Sequence, residues 1–371
     1  MPIYMDRHDL SEAVTAEAVA KVHQEDLKIQ HQYGCRGLTY WFDENRKTAF
    51  CLVEAPEMKA VSDMHNNAHG MIPNQIIEVD SNVVNAFLGR IENPTFVENT
   101  REPGKNIINE SAYRTILITK ISDYAILKVK FGNEKLRTFV NFYNNSVTKA
   151  IKRNDGREVR RMRNGFIISF SSSADALNCA RKIQNDISNQ NTPEFQLRIG
   201  LSAGAPVTES PDFFGETVHL AERLCYVAGN GYTIISSGIR DEMLDELPDS
   251  LTDNDKRTIA LNSKEEEFLN HLLDVMGFYW NETKFDVNSF GRKLGLSKAQ
   301  LYRNVTNLCS YSPNDFIKEY RLRKAVEAIE KGKGNIAEIT YQCGFSSPSY
   351  FSKCFLERFG ILPSAFAASI V

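Results

Sequence analysis

Two stretches near the C-terminal end decide the fold of that region: residues 287–305 read VNSFGRKLGLSKAQLYRNV, and residues 336–355 read IAEITYQCGFSSPSYFSKCF. Each stretch has a short helical pattern, a glycine turn (Gly295, Gly344), an apolar residue and a serine near the start of a second helix. In a helix-turn-helix, the second helix enters the major groove of DNA. The duplication therefore predicts two groove-reading helices, which can contact successive groove faces without a second subunit.

A long helix is predicted between the two copies. Residues 314–331, NDFIKEYRLRKAVEAIEK, carry an apolar stripe, and Gly332 and Gly334 end the helix. With this helix, residues 264–371 strongly resemble the DNA-binding domain of the AraC/XylS family, which implies a sequence-specific transcription regulator bound to double-stranded DNA. The positions that fit the family pattern are Arg321, Ala325, Gly344, Phe345, Ser349, Tyr350, Phe351, Phe355, Gly360 and Pro363, whereas Thr340 and Leu356 depart from it.

The groove-facing residues follow from helical geometry once the resemblance is accepted. Leu301 and Val305 are predicted to point inward, and Arg303 to make a bidentate guanine contact worth about 1–3 kcal/mol. The alternative is that these positions form ordinary solvated helix faces. The predicted DNA contacts are Lys298, Ala299, Gln300, Tyr302 and Arg303 in the first recognition helix, and Ser347, Ser349, Ser352 and Lys353 in the second.

Histidines are concentrated at the other end of the chain. Five of the seven lie within the first 69 residues: His8, His23, His31, His65 and His69. His65 and His69 are four residues apart, so on a helix they share one face, which is the spacing of a chelating pair. Clustered imidazoles suit zinc, nickel or copper. Core or surface histidines without a metal are the alternative.

Residues 1–80 resemble a family of small ferredoxin-like proteins known as nickel-binding, through the MDRH start, the YWFDE and FCLVEAP segments and the HNNAHG helix end. The predicted order is β-α-β-β-α-β, with strands at 3–7, 36–43, 48–54 and 76–79 and helices at 16–33 and 58–69. The resemblance implies face-to-face dimerisation of the sheet. It also implies a divalent transition metal, nickel before zinc or copper, held by His8, His23, His65 and His69, with His31 and Glu54 in reserve.

Residues 112–240 show a third pattern. Strands are predicted at 115–121, 157–161, 165–170 and 197–203, with helices at 134–153 and 173–189. The segments RNGFIISF (163–170), LRIGLSAGAP (197–206) and FFGETVHLAERL (213–224) resemble the catalytic domain of class III nucleotide cyclases, which is also ferredoxin-like.

The positions that carry cyclase chemistry are changed. Two carboxylates hold the two metal ions of such a mechanism, and the resemblance puts Lys120 and Asn164 at those positions. Neither is an anionic oxygen ligand of the kind that Mg²⁺ requires, so no enzyme activity is predicted. Arg160, Asp212 and Arg223 match base- and phosphate-contacting positions, so a bound nucleotide without turnover and a mere dimerisation core both stay open. The alternative is a cyclase that retains activity and is localised on DNA.

The whole chain is therefore predicted to be α+β, with two ferredoxin-like α/β sandwich modules followed by an all-α tandem helix-turn-helix domain. The expected boundaries are 1–80, a linker or bracing segment at 81–111, 112–240, an acidic connector at 241–263, and 264–371. Charge is uneven: residues 281–371 hold 13 Lys and Arg against 8 Asp and Glu, a net +5, and the remainder holds 31 against 39, a net −8. A basic tail on an acidic body is typical of one polyanion-binding module.

Cysteine usage and hydropathy bear on the compartment. The seven cysteines are scattered and never form C-x-x-C, which favours reduced thiols, and no apolar run approaches the length of a membrane span. We expect a cytoplasmic homodimer that binds DNA, no membrane, and a metal or small-molecule effector. A metal buffer with no signalling role is the alternative for the first module.

Overall fold

The computed structural model describes residues 1–94, 107–190, 192, 194–246 and 257–370. Residues 95–106 of the predicted linker and 247–256 of the predicted connector lie outside the described residues. The predicted fold class is confirmed, since two sheets with flanking helices are followed by an all-helical region. No described helix combines the length and the apolar character needed to cross a bilayer.

The first module is a four-stranded antiparallel sheet with two helices on one face. Its strands lie in the order β2-β3-β1-β4, and alternate residues of each strand point to opposite faces. The second helix ends one residue earlier than predicted, so that His69 is its C-cap. The elements are β1 (Ile3–Asp9), α1 (Ala16–Ile29), a 3-10 helix (Gln30–Tyr33), β2 (Arg36–Asp43), β3 (Thr48–Glu54), α2 (Met58–Ala68) and β4 (Gln75–Val79).

Helix α3 (Ser81–Leu88) lies within the segment that the sequence predicted to be a linker. The Asp80 side chain caps its N-terminus, and Gly89 ends it with φ +86°, a conformation that glycine adopts without steric cost. Its buried residues are Val84, Phe87 and Leu88. The prediction of a linker or bracing segment did not include this helix, because tertiary packing stabilises a helix that its local sequence specifies weakly.

The second module is a six-stranded sheet in the order β10-β9-β8-β5-β7-β6, antiparallel except for the β8–β9 and β9–β10 pairs. Strand β10 falls in the predicted acidic connector, so part of that segment belongs to the sheet. The elements are β5 (Arg114–Ile121), α4 (Tyr124–Arg153), β6 (Arg157–Met162), β7 (Gly165–Phe170), α5 (Ser173–Ser188), β8 (Leu197–Gly204), α6 (Gly215–Val227), β9 (Thr233–Ile235), α7 (Ser237–Glu246) and β10 (Thr258–Ala260).

The two modules share one hydrophobic cluster. Met5 and Trp41 from the first sheet, Phe87 from α3 and Ile116 and Ile167 from the second sheet are all buried in it. We call this cluster the shared core. The face-to-face dimerisation expected for the first sheet would require this face, which the chain's own second module covers. That expectation is therefore corrected for this face of the sheet.

The C-terminal region contains seven helices among the residues from 257 to 370. Gly295 and Gly344 have φ +67° and +76° at the two helix-turn-helix turns, as the glycine pattern predicts. Capping boxes at Asn262, Asp286, Ser297 and Asn335 begin four of the helices. The helices are α8 (Ser263–Tyr279), α9 (Val287–Lys293), α10 (Lys298–Cys309), α11 (Pro313–Glu330), α12 (Ile336–Gln342), α13 (Pro348–Phe359) and α14 (Pro363–Ala368).

These helices dock against the second module through the start of α4 and a buried ion-pair group. Ile126 of α4 is 3% exposed and lies in the hydrophobic cluster of α11 to α14. Arg358 donates to Glu319 and, at 2.9 Å, to Asp123, while Arg323 donates to Glu319 at 2.8 Å. We call Asp123, Glu319, Arg323 and Arg358 the junction cluster. It joins the turn before α4 to helices α11 and α13.

Candidate metal centre and nucleic-acid interface

A buried polar group lies between the first sheet and its two helices. Asp6 and His8 point to the same face of β1, and Cys51 is opposite Asp6 in the β1–β3 register. His65 of α2 reaches them: its Nε2 is 3.0 Å from Asp6 Oδ2, while His8 Nε2 is 3.2 Å from Asp6 Oδ1. One ligand atom from each of Asp6, His8, Cys51 and His65 lies within 4.8 Å of the others, so these four residues form one candidate donor set.

A second donor set adjoins the first and shares His65. Asp26 of α1 accepts from both imidazoles of the predicted pair: its Oδ1 is 3.1 Å from His65 Nδ1 and 3.0 Å from His69 Nε2. The two imidazole nitrogens are themselves 3.3 Å apart. We call the combined group of Asp6, His8, Asp26, Cys51, His65 and His69 the histidine cluster. Its members are buried except for His69, which is partly exposed.

Opposite charges offset the burial of this group. Burial favours the neutral imidazole of His65, but Asp6 and Asp26 outweigh it and raise the pKa of His65 to about 10. Burial likewise raises the pKa of Asp6, yet His65 and His8 hold that pKa well below its ordinary value. Two buried carboxylates therefore face imidazoles in the position where a divalent cation would be held.

The residues present fit a transition metal. Imidazole, carboxylate and thiolate are all first-row metal ligands, and imidazole suits nickel, copper and zinc alike. Burial raises the pKa of the Cys51 thiol well above its ordinary value, so Cys51 would ligate a metal only by giving up its proton. The first set would hold an ion through Asp6, His8 and His65, and the second through Asp26, His65 and His69.

The structure brings three of the four predicted ligands into the histidine cluster, and the fourth, His23, lines the same cavity without belonging to either donor set. His23 is 5% exposed, and its ring lies 4.7 Å from the ring of Tyr40 on β2. Its Nε2 has no hydrogen-bond partner among the described residues, and burial lowers its pKa. His31 is exposed in the 3-10 helix, and Glu54 pairs with Arg36, so neither lies in the histidine cluster.

Asp6, Asp26 and Cys51 were missed at the level of the sequence. A signal for Asp6 exists: it precedes His8 by two residues on a strand, so both side chains share a face. Cys51 could be assigned only once the β1–β3 register was known. Asp26 could be assigned only once the packing of α1 on α2 was known.

In the second module, the two positions without carboxylates are neighbours. Lys120 pairs with Gly165 in the β5–β7 register, and the backbone carbonyl of Asn164 accepts from the amide of Ile121 at 2.7 Å. The Lys120 ammonium lies 4.0 Å from Glu222. The position where the cyclase resemblance implies an anionic metal ligand is thus occupied by a cation.

The three predicted nucleotide contacts do not lie in one place. Arg160 and Asp212 line a groove of about 650 Å³ beside α3. Arg223 lines a different cavity, where its guanidinium donates to the Asn270 carbonyl at 3.2 Å and pairs with Asp274 on α8. The residue expected to contact phosphate is thus bound to the C-terminal region.

The first recognition helix, α10, presents a polar surface. Leu301 and Val305 are fully buried, whereas Tyr302 is 56% exposed. Gln300 is partly committed, since its Oε1 accepts from the Ser297 amide at 3.0 Å in the capping box. The predicted contacts that are exposed on this helix are Lys298, Ala299, Gln300, Tyr302 and Arg303.

The second recognition helix, α13, has fewer charges on its exposed side. Ser347 is its N-cap and accepts from the Tyr350 amide at 3.3 Å, so its hydroxyl is partly engaged. Ser349 and Lys353 are exposed, and Ser352 is half-buried. Tyr350, which is 49% exposed, lies on the same side and was not among the predicted contacts. Its position corresponds to that of Gln300 on α10, since the amides of both residues donate to the N-cap serine of their helix.

Two protein-family models match parts of the chain. "Nickel responsive protein SCO4226-like" matches residues 4–79, and "Helix-turn-helix domain" matches residues 290–369. The histidine cluster lies in the first match, and both recognition helices lie in the second.

Three named proteins are similar to parts of this chain. Histidine kinase P4 of Formosa agariphila is 37% identical over 108 residues, which are 29% of this chain and 8% of that protein. The HTH-type transcriptional activator RhaS of Mannheimia succiniciproducens is 30% identical over 82 residues, 22% of this chain and 31% of that protein. A Rhizobium meliloti protein named for adenylate cyclase activity is 33% identical over 91 residues, 23% of this chain and 16% of that protein.

The chain thus spans less than a third of the length of each of these three relatives. It carries an SCO4226-like domain at its N-terminus, a cyclase-like region in the middle and an AraC-type helix-turn-helix domain at its C-terminus.

Proposed function

We propose that the chain is a sequence-specific DNA-binding transcription regulator whose N-terminal module binds a divalent transition metal. The observation that carries the proposal is the pair of helix-turn-helix units, each with its apolar residues buried and its polar recognition face exposed. Base contacts from such helices give specificity, and phosphate contacts give position. A DNA-bound regulator works where the chromosome is, which in a bacterium is the cytoplasm.

DNA binding is tested by selecting a binding site from random duplexes and measuring affinity by fluorescence anisotropy. Arg303→Ala is expected to weaken binding to the selected site by about 5- to 100-fold and to relax the preference at one base pair. Arg137→Ala is the matched control, because Arg137 is exposed on α4, away from both recognition helices. Equal affinities for the selected and the scrambled duplexes would contradict sequence-specific recognition.

Metal binding is tested by elemental mass spectrometry on the full chain purified without an affinity tag. We expect near-stoichiometric nickel, or else zinc or copper, because the buried donors suit these ions. His65→Ala should abolish the metal, since His65 belongs to both donor sets. His271→Ala should not, because His271 is exposed on α8. A wild-type protein that stays free of metal after dialysis against each ion would overturn this part.

Control of DNA binding by the metal is a separate property from binding of the metal. A ligand shifts an equilibrium between arrangements only by its differential affinity for them, so the metal-loaded and metal-free proteins should differ in DNA affinity. Identical footprinting titrations of the two forms would leave the first module as a metal buffer.

The cyclase-like module is proposed to have no cyclase activity. Lys120 and Asn164 supply no anionic ligand for metal ions, and Arg223 is bound to α8. A turnover assay with ATP or GTP and Mn²⁺ should yield no cyclic nucleotide. Product formation that Arg223→Ala abolishes would instead support the alternative of a DNA-localised cyclase.

A homodimer is also proposed, through a surface other than the sheet face that the shared core occupies. It would place four recognition helices on paired half-sites. Sedimentation velocity of the full chain tests this. A monomer that still binds its selected site would leave recognition to the tandem helices alone.

A further inference from the structure

The two recognition helices differ in the charges that they offer to DNA. On α10, Lys298 and Arg303 are exposed and make no ion pair with any described residue. On α13, the Lys353 ammonium lies 4.0 Å from Glu357, and Arg358 is held in the junction cluster. Every cation of α13 therefore already faces a carboxylate of this chain. Because contacts to phosphate supply much of the affinity for DNA, the second helix-turn-helix unit lacks a free cation for this purpose on its own recognition helix.

A row of positions along α13 marks the side that carries the predicted DNA contacts. Ser349, Lys353, Leu356 and Gly360 follow one another at spacings of four, three and four residues, so they share one side of the helix. Ser349 and Lys353 are predicted DNA contacts, and Leu356 is 44% exposed. The row ends at Gly360, which is exposed and is the C-cap of α13.

A lysine of the second module reaches the end of this row. Lys130 belongs to the part of α4 that precedes the kink at Gly132. A Cβ added to Gly360 would lie 3.2 Å from the Lys130 Nζ, so the absence of a side chain at Gly360 leaves room for the ammonium group. Lys130 is exposed, and it makes no hydrogen bond or ion pair with any described residue.

The position of Lys130 is set by the docking of α4 on the C-terminal helices. Ile126 is buried in the hydrophobic cluster of α11 to α14, and Ala125 and Val129 pack against the same cluster. One helix turn earlier, Asp123 accepts from Arg358 of α13 at 2.9 Å. The ammonium group is thus carried by a packed helix and is placed before DNA arrives.

We propose that Lys130 binds a phosphate of the DNA backbone next to the groove that α13 reads, so that the second module forms part of the DNA interface. An ammonium group binds phosphate through a charge-assisted hydrogen bond, and such a contact positions the protein without reading sequence. This inference rests on the proposed function and deepens it, because it assigns a DNA contact outside both helix-turn-helix units.

The test measures the affinity of the full chain for its selected duplex at a series of salt concentrations by fluorescence anisotropy. Each phosphate contact adds about −0.9 to the slope of log K against log salt concentration. Lys130→Gln should therefore make the slope shallower by about 0.9 and weaken binding about 8-fold at 0.1 M salt. The loss should be the same on the selected site and on its single-base variants.

Two further variants serve as controls. Lys130→Arg keeps the positive charge and should retain the slope of the wild type. Lys149→Gln removes an exposed lysine from the other end of the same helix and should change neither the slope nor the affinity. Thermal unfolding of each variant checks that it is folded.

The salt dependence separates a phosphate contact from a purely structural role. A cation near the C-terminal end of a helix also interacts favourably with the helix dipole, and loss of that interaction would weaken DNA binding at an unchanged slope. An unchanged slope in Lys130→Gln therefore overturns the inference, whatever the affinity. A higher affinity in Lys130→Gln also overturns it, because the lysine would then be holding α13 away from DNA.

Hydrogen exchange of the amides of residues 124–131 gives a second readout. DNA bound to Lys130 should slow exchange in this segment, because DNA binding and the docking of α4 on α13 then stabilise each other. Protection that appears in the wild type and is lost in Lys130→Gln supports the inference. Protection of α10 and α13 without any at residues 124–131 overturns it and leaves DNA binding intact. A wild type that binds no duplex overturns the proposed function itself, and this inference with it.

Discussion

Replacing Glu319 by glutamine should weaken the junction between the second module and the DNA-binding domain. The Glu319 side chain is 6% exposed, and it accepts from Arg323 Nε at 2.8 Å and from Arg358 Nε at 2.6 Å. Arg358 also donates to Asp123. Glutamine keeps the shape of the side chain but removes the charge that both guanidinium groups share. Removing one member of a buried ion pair is strongly destabilising, because the charge of the remaining partner stays buried without compensation.

The magnitude follows from the pKa of the carboxyl group. Burial raises the pKa of Glu319, but Arg323 and Arg358 outweigh burial and lower it from 4.5 to about 2. This difference corresponds to about 3 kcal/mol. Because the folded-state pKa is the lower one, the stabilisation is fully present above about pH 5 and is lost as the pH falls through about 2. We therefore expect Glu319→Gln to cost about 3 kcal/mol at neutral pH and progressively less below about pH 4.5.

Hydrogen exchange of the α11 and α13 amides is the suitable assay, since a chain of several modules does not unfold in one step. The matched control is Glu330→Gln, because Glu330 is exposed at the end of the same helix and should change the opening free energy by less than about 0.5 kcal/mol. Equal opening free energies in Glu319→Gln and Glu330→Gln would refute this prediction. A loss of opening free energy in Glu319→Gln that stays the same as the pH falls would also refute it.

Two further perturbations have defined outcomes. Gly344→Ala should destabilise the domain more than Gly295→Ala in urea unfolding. Both glycines have positive φ, which costs an alanine about 1–2 kcal/mol, but only at Gly344 would the added Cβ lie 2.9 Å from the Trp280 carbonyl oxygen. Equal losses of stability in the two variants would contradict this. Ile126→Ala should cost about 2–5 kcal/mol and speed limited proteolysis between the second module and α8. Unchanged cleavage rates would mean that Ile126 does not hold the two together.

The strands of the first module were predicted closely because their signal is local. Strands β2 and β3 begin and end at the residues predicted from the sequence, and the two glycine turns lie where the duplicated pattern indicates. Helix α3 was missed because its stability comes from packing on the second sheet. The start of α4 was missed because the helix extends back to Tyr124 across a kink at Gly132, and its first turns pack on the distant α11 to α14.

The candidate metal site could be predicted only in part for a related reason. The spacing of His65 and His69 is a local signal, and both lie in the cluster. His8 and His23 were assigned through a resemblance, which does not say which way each side chain points. The structure turns His8 toward Asp6 and His23 toward Tyr40. Asp26 joins the cluster through its contact with His65, 39 residues away, and Cys51 through its contact with Asp6, 45 residues away. No local sequence pattern specifies contacts between residues so far apart.

The shared core limits how this gene could have been assembled and how it can be taken apart. Modules joined by a solvated linker can be exchanged as cassettes, but here either fragment would carry an open apolar face, with Met5 and Trp41 on one and Ile116 and Ile167 on the other. Such faces promote aggregation. A deletion of the first 80 residues therefore also exposes the buried face of the second module. The two sheets can be retained, truncated or recombined only together.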